Sequence, residues 1–357
     1  MQGKSVLVSS SEKTEGPVRP SVAWLTVNRR CNFRCKWCYA QGAEFDTAQD
    51  MPIDLAVRMT RILQSAGVQH LFVTGGEPTL WNPLLKFNDF CQKIGLETTL
   101  VTNGMRFSND AFWHRYLEHP NTFVGISLKA GNPKQLWESA QVRQFATVTR
   151  GITRAMTHFQ SGVGIVYNTD CSGNLIEMAE YAMSCNAKTI KLDFCTPVFV
   201  NGEPSAICVT EPGHMVEGVM HDYPWLVEIT NGNLAFIMSV PFCFWPQEFI
   251  QKLKAKNRIE SVCQLLKREG IVVGSGGSLY MCNELFDFPI GKYAEDFNTA
   301  ASLVELLNSP KISGYYNELS RYPSDRCQDY SWYMDCGGGC PLQWSVLEPE
   351  KLIHPIR

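Results

Sequence analysis

Along the first two hundred residues, short apolar runs alternate with longer stretches of helical period. Residues 22–27 (VAWLTV), 68–75 (VQHLFVTG), 96–104 (LETTLVTNG), 122–130 (TFVGISLKA), 162–168 (GVGIVYN) and 188–194 (KTIKLDF) each read as a strand rich in β-branched residues. Between them, amphipathic stretches predict helices over about 52–66, after Pro83, near 111–117, over about 133–159 and near 174–185. Strand then helix, about six times over, predicts an α/β fold with a parallel sheet, curled by right-handed crossovers into a partial (β/α)6 TIM-like barrel. Ligands of such folds sit at the carboxyl ends of the strands. Cys31, Gly75–Glu77, Asn103, Ser127 with Lys129, and Asn168 all fall there.

From about Thr196 the alternation is expected to fail, because proline and aromatic residues become frequent. Residues 272–282 (VVGSGGSLYMC) read as a hairpin around Ser275-Gly276-Gly277. The aromatic stretch 222–249 fits either a peptide groove or plain core. The organisation expected is a mobile tail over 1–20, a barrel over 21–235 and a small C-terminal domain over 236–357.

Composition adds exclusions. With 45% hydrophobic and 19% charged residues the chain is an ordinary globular protein, and a net charge of −3 gives no reason to expect nucleic acid or an anionic membrane as partner. No apolar run is long enough to span a bilayer, and the first twenty residues lack an apolar signal core, which predicts a cytoplasmic location. The 14 cysteines change the picture. Clustered, and in a chain with no export signal, they point to metal ligation rather than disulfides. Cys91, Cys171, Cys185, Cys195 and Cys208 stand apart and read as small buried hydrophobes.

Cys31, Cys35 and Cys38 lie within eight residues, CNFRCKWC. Three thiolates on one tight loop suit three corners of an iron–sulfur cubane with one iron left open; a structural zinc site with a distant fourth ligand is the bland alternative. This octapeptide, followed by Tyr39, resembles the CxxxCxxC motif of the radical S-adenosylmethionine (SAM) superfamily. The resemblance implies that Cys31, Cys35 and Cys38 bind a 4Fe–4S cluster whose open iron takes SAM, with Trp37 near the adenine. Thr74-Gly75-Gly76-Glu77-Pro78 resembles the family's GGE motif. There Gly75 and Gly76 would let backbone approach the methionine moiety, and the Glu77 carboxylate or nearby backbone would hold its ammonium. Asn103, Ser127 and Asn168 sit where family members place polar contacts to SAM. Lys129 departs from the acidic residue often found there. The chemistry implied is the cofactor's: reductive cleavage of SAM to a 5′-deoxyadenosyl radical that abstracts hydrogen, with a flavodoxin or ferredoxin as reductant. No residue is singled out as general acid or base.

Six more cysteines occupy the C-terminal third: Cys243, Cys263, Cys282, Cys327, Cys336 and Cys340. The stretch Gly277 to Cys282 fits G-x4-C, and Cys327, Cys336 and Cys340 follow. This resembles the SPASM or twitch appendage of one branch of the superfamily, which carries auxiliary clusters. Tyr330 stands where the second cysteine of C-x2-C-x5-C-x3-C belongs, and no cysteine follows Cys340. One auxiliary 4Fe–4S cluster is therefore expected, on Cys263, Cys282 and Cys340, with Cys243, Cys327 or Cys336 completing the set. A zinc knuckle is the alternative. Enzymes with such appendages mostly modify peptides or proteins, and a peptide substrate is the expectation, although no long N-terminal leader-binding extension is seen. The alternatives are a radical dehydrogenase or rearrangement enzyme for a small metabolite, and a non-catalytic iron–sulfur electron-transfer protein.

Overall fold

The computed structural model describes residues 17–40, 50–168, 174–205, 210–261, 263–264, 266–319, 321–324, 327 and 329–352. Most of the tail expected over 1–20, as well as Cys171 and Cys208, lies outside the described residues. In chain order the elements begin β1 (Val22–Thr26), α1 (Ile53–Ala66), β2 (His70–Thr74), α2 (Leu84–Lys93), β3 (Glu97–Thr102), α3 (Asp110–Glu118), β4 (Phe123–Leu128), α4 (Pro133–Ala140), α5 (Phe145–Phe159), β5 (Val163–Tyr167), α6 (Leu175–Ser184) and β6 (Ile190–Phe194). Thus the six predicted strands are present, and the helical region predicted over 133–159 is two helices. Polar side chains start the helices where the sequence supplies them. Asn109, Asn132 and Asn174 each accept a hydrogen bond from the backbone N–H three residues on, satisfying a donor the helix leaves free.

The alternation expected to stop at Thr196 instead continues. After a small hairpin, β7 (Val198–Val200) with β8 (Glu203–Ser205), come α7 (Pro212–Ile229), β9 (Leu234–Ile237), α8 (Gln247–Ala255) and β10 (Ile259–Glu260). β9 pairs with β6, and β10 with β9, both parallel. Two features hid this repeat. Pro224 lies inside α7, where the sequence reads as a helix break, and β9 has only 4 residues. Then β11 (Gly270–Val273), β12 (Ser278–Tyr280) and β13 (Gly291–Lys292) follow, and α9 (Ala300–Leu307) and α10 (Pro310–Leu319) close the described helices of length. β11 and β12 form the predicted hairpin.

All but the small hairpin join one 11-stranded sheet in the order β10-β9-β6-β5-β4-β3-β2-β1-β11-β12-β13. Strands β10 through β11 in that order run parallel, and β12 and β13 turn back. Among the described residues its two edges do not pair, so the architecture is a partial barrel. The boundary expected at 235/236 falls within β9, so the sheet is continuous across it; the division into two domains is kept as a proposal about function. Leu25, Leu71, Val73 and Leu100 point outward from the sheet into a core shared with Met59 and Leu63 of α1. The aromatic stretch 222–249 is largely core: Phe236, Phe242, Trp245 and Phe249 are buried, and the rings of Phe236, Trp245 and Phe249 contact one another. No described helix is long and apolar enough to cross a membrane.

Candidate active site

The parallel register brings the carboxyl ends of β1 to β6 to one rim, and the cysteine loop after β1 is fastened there from two sides. Arg34 N–H donates to Ala140 O at 2.8 Å and Lys36 N–H to Ser139 O at 3.0 Å, which ties the loop to the end of α4. Gly76 N–H donates to Asn28 O at 3.0 Å and Glu77 N–H to Arg30 O at 2.7 Å, which ties it to the end of β2. That second junction needs glycine. A Cβ on Gly76 would lie 2.3 Å from Arg30 O, and one on Gly75 2.3 Å from Asn28 Oδ1. The space freed by the two glycines is thus filled by this chain's own backbone, at the point where the cysteine loop leaves β1.

Glu77 is equally committed. Its Oε1 accepts from Thr79 N at 3.1 Å, Thr79 Oγ1 at 2.6 Å and Thr102 Oγ1 at 2.6 Å, and its Oε2 accepts from Asn103 N at 2.8 Å. With four donors on a buried carboxylate, Glu77 joins the ends of β2 and β3. Asn103 in turn donates from Nδ2 to Asn32 Oδ1 at 2.8 Å, reaching the cysteine loop itself. Ser127 accepts from Lys129 Nζ at 2.6 Å, and that ammonium lies 5.9 Å from the Trp37 ring. Asn168 donates to Thr210 Oγ1 at 3.0 Å and is buried.

Cys31, Cys35 and Cys38 line one open cavity of about 280 Å³, together with Phe33, Arg34, Lys36 and Gln141. Burial pushes the Cys31 thiol up to about 12, with the Glu77 charge adding to it, and burial pushes Cys35 up to about 11. Bare, these thiols hold their protons. Ligation releases them because the iron's positive charge replaces the lost solvation. Among the described residues, no three His, Cys, Asp or Glu converge tightly enough to hold a single metal ion. A cubane, whose thiolates bind separate irons, suits thiols spread around one cavity. Trp37 packs on Cys195 and Val166, and its buried Nε1 has no hydrogen-bond partner, so a donor stands ready beside the cavity for a heteroaromatic ligand.

Several residues here were not flagged in the sequence. The buried Arg29 stacks 4.2 Å over the Phe286 ring, and Phe286 stacks on Tyr39; the loop after β12 thus roofs the cysteine loop. Burial lowers the Arg29 pKa against the pull of Tyr39, Tyr280, Cys38 and Asp287. At the end of β6, burial raises Asp193 to about 7, with Glu284 and Glu260 adding repulsion. Arg29, Asp193 and Glu284 sit in no motif; their signal was only position, after β1, within β6 and after β12.

The C-terminal cysteines fall into two groups of three. Cys243 feels the charges of Cys336 and Cys327, while Cys263 repels both Cys282 and Cys340. Cys263, Cys282 and Cys340, the set expected from the sequence, lie within electrostatic reach of one another. Cys243, Cys327 and Cys336, offered as its completion, act on one another instead.

The comparisons with known proteins agree with this geometry. The model of the Radical SAM superfamily matches residues 25–169, from β1 to just past β5. Residues 25–169 are therefore a radical SAM domain. Its cofactors are those of the superfamily, a 4Fe–4S cluster and SAM. The GTP 3′,8-cyclase of Actinobacillus succinogenes is 28% identical over 142 residues, covering 39% of this chain and 41% of that protein. The Fe-coproporphyrin III synthase of Methanosarcina barkeri is 27% identical over 110 residues, covering 31% of this chain and 27% of that protein. The chain thus matches less than half the length of these curated relatives. Among solved structures, Streptococcus suis SuiB bound to S-adenosylmethionine superposes with a TM-score of 0.66 at 17% identity, over 93% of this chain and 76% of SuiB. anSMEcpe with bound AdoMet and the Kp18Cys peptide gives 0.66 at 17% identity, over 90% of this chain and 89% of that one. At these identities the likeness concerns the fold: a partial barrel with a C-terminal extension.

Proposed function

We propose that this chain is a peptide- or protein-modifying radical SAM enzyme. Bound at the cysteine loop, the cluster and SAM supply a 5′-deoxyadenosyl radical for hydrogen abstraction. In this reading Cys31, Cys35 and Cys38 hold the cluster. Trp37 faces the adenine with its free N–H, Lys129 with Ser127 and Asn103 line the SAM side of the rim, and Asn168 with Thr210 closes it. Because the Glu77 carboxylate is occupied by four donors of its own chain, backbone near Gly75–Glu77 takes the methionine ammonium instead. Phe286, stacked on Arg29 and Tyr39, excludes water from the radical. The C-terminal cysteines carry auxiliary iron–sulfur chemistry of the SPASM or twitch kind.

The observation that carries the substrate class is the acidic β6 side of this same rim. Asp193 and Glu284 lie there part-buried and near each other. A pair of part-buried acids disfavours a polyphosphate and suits a neutral or cationic peptide side chain. The fold likeness to SuiB bound to a precursor peptide, over 91% of this chain, supports the same reading. The second reading, a small-metabolite radical enzyme, is favoured by the curated relatives bearing the name GTP 3′,8-cyclase. An anaerobic assay separates them. Reduced protein with SAM is offered GTP or a panel of short peptides, and 5′-deoxyadenosine is measured with the mass of each substrate. Peptide-stimulated turnover with a mass change on the peptide supports the proposal; a GTP-dependent product overturns it.

A further inference from the structure

Beside the group of Cys263, Cys282 and Cys340 stands a carboxylate, Glu284. β12 ends at Tyr280 and delivers Cys282 just beyond it. Cys340 is pinned beside the loop after β9, since its N–H donates to Ser239 O at 2.7 Å. The chain approaches so closely there that a Cβ on Gly339 would lie 2.5 Å from Ser239 O. Cys263, just past β10, is close enough to both for their charges to repel. Into this group projects Glu284, whose Oε2 accepts from Cys282 Sγ at 2.5 Å.

That carboxylate is part-buried, and the groups acting on it are the Cys282 thiol and a backbone N–H, with no cation among them. Its other acidic neighbours are Asp193, Cys195 and Cys340. Holding a part-buried carboxylate among acids is costly unless positive charge arrives. The other cysteine group shows that a fourth thiol was not simply displaced. Cys336 Sγ accepts from Phe242 N at 3.2 Å, next to Cys243, and Tyr330 lies near both cysteines. Those thiols serve a separate place.

We propose that Cys263, Cys282 and Cys340 bind three irons of an auxiliary 4Fe–4S cluster and that a Glu284 carboxylate oxygen binds the fourth. This rests on the reading above that the C-terminal segment carries an auxiliary cluster. Ligation is acid–base chemistry only: each thiol loses its proton to solvent, Glu284 binds as the carboxylate, and no electron changes hands. Glu284 also lies within electrostatic reach of Asp193 and Cys195 at the end of β6.

The test uses the full chain in a Cys31/Cys35/Cys38→Ala background, reconstituted anaerobically with iron and sulfide, with metal analysis and electron paramagnetic resonance of the oxidised and reduced protein. With Glu284 intact, the account expects a reducible four-iron cluster. Glu284→Ala is expected to lose about one iron in four and to show an oxidised three-iron signal, because the fourth iron has lost its only protein ligand. Glu284→Cys, which restores a ligand, is expected to keep about four irons. Four irons with an unchanged spectrum in Glu284→Ala overturn the carboxylate assignment while leaving the auxiliary cluster standing. No cluster at all in the background with Glu284 intact overturns the auxiliary reading itself.

Discussion

The Glu77 carboxylate accepts the Asn103 N–H at 2.8 Å, and Asn103 hands the connection on through its side chain to Asn32, between Cys31 and Phe33. One buried acid therefore sets the position of the cysteine loop relative to β2 and β3. Glu77→Gln keeps the shape but replaces one acceptor oxygen with a donor facing donors. It is expected to destabilise the protein by about 2–4 kcal/mol, as loss of charge-assisted buried hydrogen bonds does. Chemical denaturation measures this. SAM affinity should fall together with stability; if SAM binding is lost while stability is untouched, the carboxylate binds the ligand directly.

Gly76 makes a sharper prediction, because its missing side chain is replaced by the Arg29 and Arg30 carbonyls. Gly76→Ala puts a methyl 2.3 Å from Arg30 O and 2.5 Å from Arg29 O, and backbone on a fastened loop yields little. The variant is expected to lose the iron held at Cys31–Cys38 while keeping the C-terminal iron. Gly276→Ala is the control, since a Cβ there meets nothing within 4 Å. Metal analysis of the two variants side by side decides it. Equal iron in both contradicts the packing argument.

Asp193 carries a pH signature. Its folded pKa of about 7 is above the unfolded carboxylate value, so the folded state holds the proton more tightly. Its share of stability is therefore fully present below about pH 4 and declines as pH rises through about 7. Asp193→Asn is expected to flatten that part of the stability-versus-pH curve and to raise stability at pH 8. A curve of unchanged slope between pH 4 and 7 contradicts the assignment.

How much of this was legible beforehand depends on the range of the interaction. The six strands and the cysteine loop were readable because period-2 runs and an eight-residue motif are local. β9 was not, because Pro224 imitates a helix end and four residues carry too little pattern. The likeness of Gly75–Glu77 to a known motif placed it correctly at the rim. It did not reveal that the glycines accommodate Asn28–Arg30 or that Glu77 is held by Thr79, Thr102 and Asn103, since those partners are distant in sequence. The division of six cysteines into two groups depends on how β9, the β11–β12 hairpin and the last described turns pack together, and no spacing rule encodes that. Glu284 and Asp193 were missed for the same reason: a carboxylate becomes informative only when burial and its neighbours are known.

The most direct test of the central claim is anaerobic iron and sulfide analysis of reconstituted wild type and of the Cys31/Cys35/Cys38→Ala variant, with 5′-deoxyadenosine measured after reduction in the presence of SAM. The account predicts about eight irons or more in the wild type, a loss of about four in the variant, and 5′-deoxyadenosine from the wild type alone. Zinc in place of iron, or 5′-deoxyadenosine formed equally by the variant, would contradict it.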